Sequence, residues 1–304
     1  MANKTKLGSQ PGARPPAAVE FTLEGVLAAA VQSPGQEPTY AFAPLPPGAL
    51  VPNIAEHNLQ NAHAVAEAIR TALDEASPRT RAVTLVLPDS IVRVFVLDFD
   101  TLPAKAAEAI PVLRFRLRKM VPFDTEQAAV GYQVLSQSKD EYKVLAAVLP
   151  GPILAEYEAA TREAGYEPGA VLPSSLAALE TIDSADPALI VNLSASTLTT
   201  AIAGGNDLLL YRTLDLPADP HQRIADVQRG IAVALAYFED KLGSRPHVLH
   251  FAGREDSADL TVDLANLISD TGLEIVNLAP RPGRGAALAR SSAAGVAGAL
   301  AGVR

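Results

Sequence analysis

The chain has 304 residues, 48% hydrophobic and 19% charged, with a formal net charge of −9 and no cysteine. It is long enough for one large core or two domains. Its acidity argues against nucleic-acid binding through phosphate neutralisation, and the missing cysteines exclude disulfides and thiolate metal sites. The closing "SSAAGVAGALAGV" is apolar but shorter than the roughly 20 residues of a membrane span, and the opening "MANKTKLGSQPGARPP" has no apolar signal core. The expectation is a cytoplasmic protein with residues 1–16 as a disordered tail and any membrane association made through a partner.

Val19 to Val31, "VEFTLEGVLAAAV", reads as two short strands with Gly25 at the turn. A third is expected at Tyr40–Ala43, inside a Pro- and Gly-rich stretch. Residues 54–76 read as a helix, with Val65, Ile69 and Leu73 four apart. "AVTLVL" (82–87) is a buried strand, and "IVRVFVLDF" follows Pro88-Asp89 as another. The spacing predicts a helix over 103–121 despite Pro111, stopped by Pro122. Leu113 and Leu117 would share one face with Met120 or Val121, and Arg114 and Arg118 another. Its "RFRLRKM" run reads as the cationic face of a surface helix.

Two strands follow, "AAVGYQVLSQ" and "YKVLAAVLP", then an amphipathic helix ended by Gly165. "YEPGAVLP" gives a short strand, and "SSLAALETI" a helix with Ser174 or Ser175 as N-cap. "ALIVNLSASTLTTAIAGGNDLLLYRT" (188–213) reads as strand–turn–strand–turn–strand. A long helix carries Ile224, Val227, Ile231, Leu235 and Phe238, and "HVLHFAG" is a strand. "LTVDLANLISDTG" reads as a helix, "LEIVNL" as a last strand, and the small-residue tail as a last helix. Both halves open on hairpins and later supply helices and isolated strands, which suggests a duplicated α/β architecture with a cleft between.

No catalytic constellation or metal set stands out. His247 and His250 are three apart on a predicted strand, a spacing that points them to opposite faces. The chain has no G-x-S-x-G, GxxxxGK[ST] or GxGxxG motif.

Pro88-Asp89-Ser90 ends a strand, Val121-Pro122-Phe123 ends a helix, and Gln133-Val134-Leu135 lies in the strand after it. These elements, with "ILAEYEAATREAGYEPGAVLPSSLAALE", resemble the PilM family of type IV pilus assembly proteins, part of the actin, Hsp70 and sugar-kinase superfamily. The resemblance spans about 17–304 and is specific in 83–180. It implies a two-lobe actin-like (ribonuclease H-like) α/β fold around a nucleotide cleft. The first lobe would be 17–180, with a subdomain inserted at about 91–165. The second would be 181–304, its last helix returning to the first lobe.

The resemblance also implies where a nucleotide would sit. Working members carry Asp-x-Gly in each hairpin, a Lys after the first, and Gly-Gly at the adenosine turn. This chain has Glu20-Phe21-Thr22, Leu27, Asn192-Leu193-Ser194 and Ala252-Gly253-Arg254. Thr22 and Ser194 add Cβ atoms where backbone would approach phosphate, and Asn192 lacks the charge that would organise magnesium. Glu20, Thr22, Asn192, Ser194, Ser196, Gly253 and Arg254 are therefore read as a vestigial cleft, with Arg254 able to compensate in part. No catalytic residue and no cofactor are expected; the alternative is ATP with magnesium in a working ATPase switch. The implied function is an adaptor, peripheral to the inner membrane, that binds the N-terminal peptide of a PilN-type bitopic partner alongside other pilus assembly proteins. No nucleic acid and no direct membrane insertion are expected. Val121, Pro122 and Phe123 are the candidate partner contacts. A further alternative is the related cytoplasmic adaptor of a type II secretion system, which shares the implied fold.

Overall fold

A computed structural model describes residues 14–33, 35–138, 141–182, 186–204, 207–253, 273–278 and 292–301. Among these, two five-stranded sheets share one design. In the first, β1 (Ala17–Phe21), β2 (Gly25–Ala30) and β3 (Thr39–Pro44) form an antiparallel meander. β4 (Ala82–Leu87) pairs parallel with β1, and β8 (Glu167–Pro173) parallel with β4. In the second, β9 (Ala188–Leu193), β10 (Thr197–Gly204) and β11 (Asp207–Asp215) repeat the meander, and β12 (Val248–Gly253) and β13 (Glu274–Asn277) repeat the parallel pair. The orders, β3-β2-β1-β4-β8 and β11-β10-β9-β12-β13, correspond strand for strand.

The central strands are buried along their whole length because both faces of each are covered. That is why they read as continuous apolar runs rather than alternating ones. In the first lobe, α1 (Ala62–Ala76) and α3 (Gly151–Glu163) pack on the face bearing Ala17, Val19 and Phe21. The small-residue helix α6 (Ala294–Ala301) packs on the face bearing Ala18, Leu27 and Val86. A Cβ on Gly298 would fall inside contact distance of the Ala177 carbonyl, so glycine lets α6 lie directly on α4 (Ser174–Leu179). In the second lobe, α5 (Pro220–Leu242) sets Val227, Ile231, Ala234 and Phe238 against Leu189, Val191 and Leu198.

β5 (Arg93–Phe99), β6 (Ala128–Gln137) and β7 (Tyr142–Pro150) form a third sheet in the order β5-β7-β6, inserted after β4. α2 (Ala106–Leu117) covers one face through Ala109, Leu113 and Leu117. Val94, Val96 and Leu145 join Ile190, Ala201 and Leu208 of the second lobe in one cluster.

The structure shortens several expected elements. α1 starts at Ala62, not 54, because Asn61 caps it, its Oδ1 accepting the Ala64 amide at 3.0 Å. α2 ends at Leu117, short of Pro122, so the proline follows the helix rather than stopping it. The expected insertion runs to about 165, whereas α3 belongs to the first lobe's core through Ile153, Tyr157 and Ala160. Within the expected tail, Arg14 is placed, its guanidinium 3.5 Å from the Glu180 carboxylate. Gly25 is the first residue of β2; Thr22 closes the turn. Pro173, not a serine, is the N-cap of α4. The helix expected in "LTVDLANLISDTG" lies outside the described residues.

Candidate functional site

The two meanders turn toward each other across a cleft with about 690 Å³ of space unfilled by protein, part of it open solvent. Both turns line it, together with Pro88-Asp89, Ser174, Asn192, Ala252-Gly253 and the start of α6. Six of the seven expected cleft residues, Glu20, Thr22, Asn192, Ser194, Ser196 and Gly253, converge here. Arg254 lies outside the described residues.

Glu20 is on β1 with its side chain on the same face as Ala18, toward α6. A Cβ on Gly295 would collide with both its carboxylate oxygens, so the helix sits directly over the group. Ser174 Oγ donates to Glu20 Oε1 at 2.5 Å. Among the described residues Oε2 has no hydrogen-bond partner, and the Val296 amide acts on the carboxyl electrostatically. Burial pushes the Glu20 carboxyl from 4.5 up to about 7; Ser174 and Val296 pull it down, and the Asp89 charge adds to the rise.

Asp89 opens a short 3₁₀ turn after β4 and is buried between the lobes. The Ser175 amide donates to its Oδ1 at 3.1 Å, and Ser175 Oγ donates to Oδ2. From the second lobe, Thr199 Oγ1 donates to Oδ2 at 3.2 Å and Tyr211 OH to Oδ1 at 3.4 Å. Asn192 Nδ2 donates to Ser175 Oγ at 2.8 Å. Burial raises the Asp89 carboxyl above its ordinary value, and its four donors oppose that rise. The result is a polar clasp between the lobes, built from Asp89 and Ser175 on one side and Asn192, Thr199 and Tyr211 on the other. The serines expected to cap α4 are instead spent here and on Glu20.

The turns are closed by their own side chains. Thr22 Oγ1 donates to the Gly25 carbonyl at 2.9 Å and accepts the Gly25 amide at 3.2 Å. Ser194 Oγ accepts the Ser196 amide at 3.2 Å and the Thr197 amide at 2.9 Å, and lies 2.7 Å from the Thr197 hydroxyl. Arg223 of α5 binds the outside of this turn, donating to the Ser194 carbonyl at 2.7 Å and to the Ala195 carbonyl. Gly253 is glycine for packing: a Cβ there would overlap the Phe251 ring. Leu27 is buried under α6. Val121 and Phe123 pack half-buried on the inserted sheet's core beside Leu113 and Leu117, with Pro122 exposed. His250 is half-buried, its Nδ1 has no partner among the described residues, and burial lowers its proton affinity.

A magnesium triphosphate needs free amides, a cation and an available carboxylate. The Ser196 and Thr197 amides of the second turn are held by Ser194, the cleft lining among described residues has no Lys or Arg, and both buried carboxyls accept hydrogen bonds within the protein. The residues present do not fit that group. The sequence located the cleft residues through their motif positions. It gave no sign of the roles of Asp89, Ser174, Ser175, Thr199 or Tyr211, because these arise from contacts between distant segments.

No family model matches the chain, and no curated protein matches it in sequence. Its structure matches a chain of the PilM-PilN type IV pilus biogenesis complex with a TM-score of 0.77 and 19% identity, over 96% of this chain and 100% of that one. The fold is actin-like, in two lobes. The cytoplasmic domain of EpsL, an inner-membrane component of the Vibrio cholerae type II secretion system, matches with a TM-score of 0.49 and 13% identity, covering 78% of this chain and 81% of that one. A Bacteroides thetaiotaomicron protein with an actin-like ATPase fold also gives 0.49, at 11% identity, covering 86% and 89%. Among the described residues of the actin-like chain, no helix is long and apolar enough to cross a membrane.

Proposed function

We propose that this actin-like chain is a PilM-like adaptor of a type IV pilus assembly complex. It binds the cytoplasmic N-terminal peptide of a PilN-type partner and works without ATP hydrolysis. The observation that carries the non-catalytic reading is the Ser194 turn, whose Ser196 and Thr197 amides are already bound to the serine hydroxyl. The likeness along the whole chain to a protein solved in a complex with PilN motivates the partner. On this reading the protein sits on the cytoplasmic face of the inner membrane, and the Asp89 clasp makes it a rigid scaffold rather than a nucleotide-driven hinge. Val121–Phe123, where α2 runs into β6, are the proposed edge of the peptide site.

The test is calorimetric titration with a PilN-type N-terminal peptide and, separately, with Mg-ATP. Peptide binding with no heat from ATP below the millimolar range is expected. Micromolar ATP binding by the unmodified protein would sink the non-nucleotide reading, and failure of the peptide would sink the adaptor reading.

A further inference from the structure

The helix α2 presents to solvent a face that the adaptor reading does not use. Leu113 and Leu117 pack into the inserted sheet's core, and Ala109 is buried on the same helix face, so helical spacing turns Pro111, Phe115 and Arg118 the opposite way, with Val112 and Lys119 beside them. Phe115 is 79% exposed, a level at which its ring touches little of its own protein; Val112, three residues before it, is 36% exposed, and Met120, in the turn after the helix, is 42% exposed. The helix continues into a hydrogen-bonded turn, with the Arg118 amide on the Arg114 carbonyl at 3.0 Å and the Met120 amide on the Leu117 carbonyl at 2.8 Å. That turn keeps Arg118 and Lys119, three and four residues after Phe115, on the same side of the helix as its ring.

Charge makes the patch unusual for this chain. Residues 105–120 contain five of its 25 lysines and arginines but one of its 34 acidic residues. Glu108 pairs with Lys105 at 3.7 Å, and Arg114 donates to the Ala128 carbonyl at 2.9 Å. Arg116, Arg118 and Lys119 are exposed and form no ion pair among the described residues. Asp124 and Glu126 lie on the following loop, where Asp124 accepts the Glu126 amide. An exposed aromatic ringed by unpaired cations, on a protein otherwise strongly acidic, is complementary to a surface that is apolar beneath and anionic above.

We propose that α2 is a membrane-surface contact, in which Phe115 enters the interface of an anionic bilayer while Arg116, Arg118 and Lys119 bind lipid phosphates. The occupant is a bilayer rather than a peptide because Phe115 projects from a convex helix face and not from the wall of a groove. Basic residues near an anionic leaflet and an aromatic at headgroup depth each add modest affinity. The contact is therefore weak and reversible, and would reinforce recruitment by a partner. It revises the expectation that the chain meets the membrane only through that partner.

The chain has no tryptophan, so Phe115→Trp installs a single reporter. The full-length protein is mixed with phosphatidylcholine vesicles, with or without about 30% phosphatidylglycerol. Expected are sedimentation with the anionic vesicles only, loss of binding at high salt, and a blue-shifted emission from the introduced indole that brominated lipid quenches. Arg116→Glu and Lys119→Glu should each weaken binding by about fivefold or more, and Phe115→Ser should abolish insertion, with unchanged circular dichroism excluding misfolding. No anionic-vesicle binding, or binding that these substitutions leave unchanged, would overturn the proposal. So would an emission shift produced by a PilN-type peptide and not by vesicles, since the face would then be a peptide site.

Discussion

Replacing Glu20 with glutamine should change how stability depends on pH. Burial under Gly295, helped by the Asp89 charge and opposed by the hydroxyl of Ser174 and the Val296 amide, raises the Glu20 carboxyl from 4.5 to about 7. Between these values the folded protein holds a proton that the unfolded chain has released. Stability contributed by the neutral carboxyl is therefore complete below pH 4.5 and is lost as pH rises through about 7. A shift of that size corresponds to about 3 kcal/mol. The glutamine of the Glu20→Gln variant cannot ionise and can keep a hydrogen bond to Ser174, so the variant should gain on wild type as pH rises. Its second amide proton faces the crowded underside of α6, which would cost about 1 kcal/mol at every pH. Urea unfolding at about pH 5 and about pH 8, either side of the titration, measures the difference. Asp89 stays in both proteins, so comparing the two slopes isolates Glu20. Parallel profiles, differing by less than about 0.5 kcal/mol between the two pH values, would refute the assignment of a buried, protonated Glu20.

Other substitutions probe the clasp, the turn and the helix contact. Asn192→Asp removes the donor to Ser175 Oγ and sets a second carboxylate near Asp89; about 2–4 kcal/mol should be lost at about pH 8 and less at about pH 5, by urea unfolding. Equal losses at both pH values would rule out charge as the cause. Ser194→Gly frees the Ser196 and Thr197 amides, so together with Thr22→Gly and Asn192→Asp it should raise Mg-ATP affinity above the wild-type baseline, read by calorimetry. Gly298→Ala forces a methyl group onto the Ala177 carbonyl, and since backbone cannot swing away, a loss of about 2–3 kcal/mol and a melting point lower by several degrees are expected. An unchanged melting temperature would mean that α6 does not seat on α4.

The membership of most elements could be read locally. Val65, Ile69 and Leu73 specify the buried stripe of α1 without reference to anything else, and "AVTLVL" and "ALIVNL" specify strands covered on both faces, because side-chain period follows from backbone geometry alone. Departures at the motif positions that the family resemblance implies, Thr22, Asn192 and Ser194, likewise marked the cleft, whereas Leu27 is buried under α6. Boundaries were less legible: α1 begins at Ala62 rather than at 54, because the Asn61 cap outweighs the pattern before it.

What the cleft is made of was decided only by the tertiary structure. Ser174 and Ser175 look like helix caps, yet one binds a carboxylate on β1 and the other joins a clasp reaching β9, β10 and β11. Asp89 reads as strand punctuation until Thr199 and Tyr211 are brought to it from distant parts of the chain. The physical reason is that a hydroxyl or carboxyl has several partners of nearly equal worth in sequence. Burial removes water from the choice, and only packing determines which partner remains within reach.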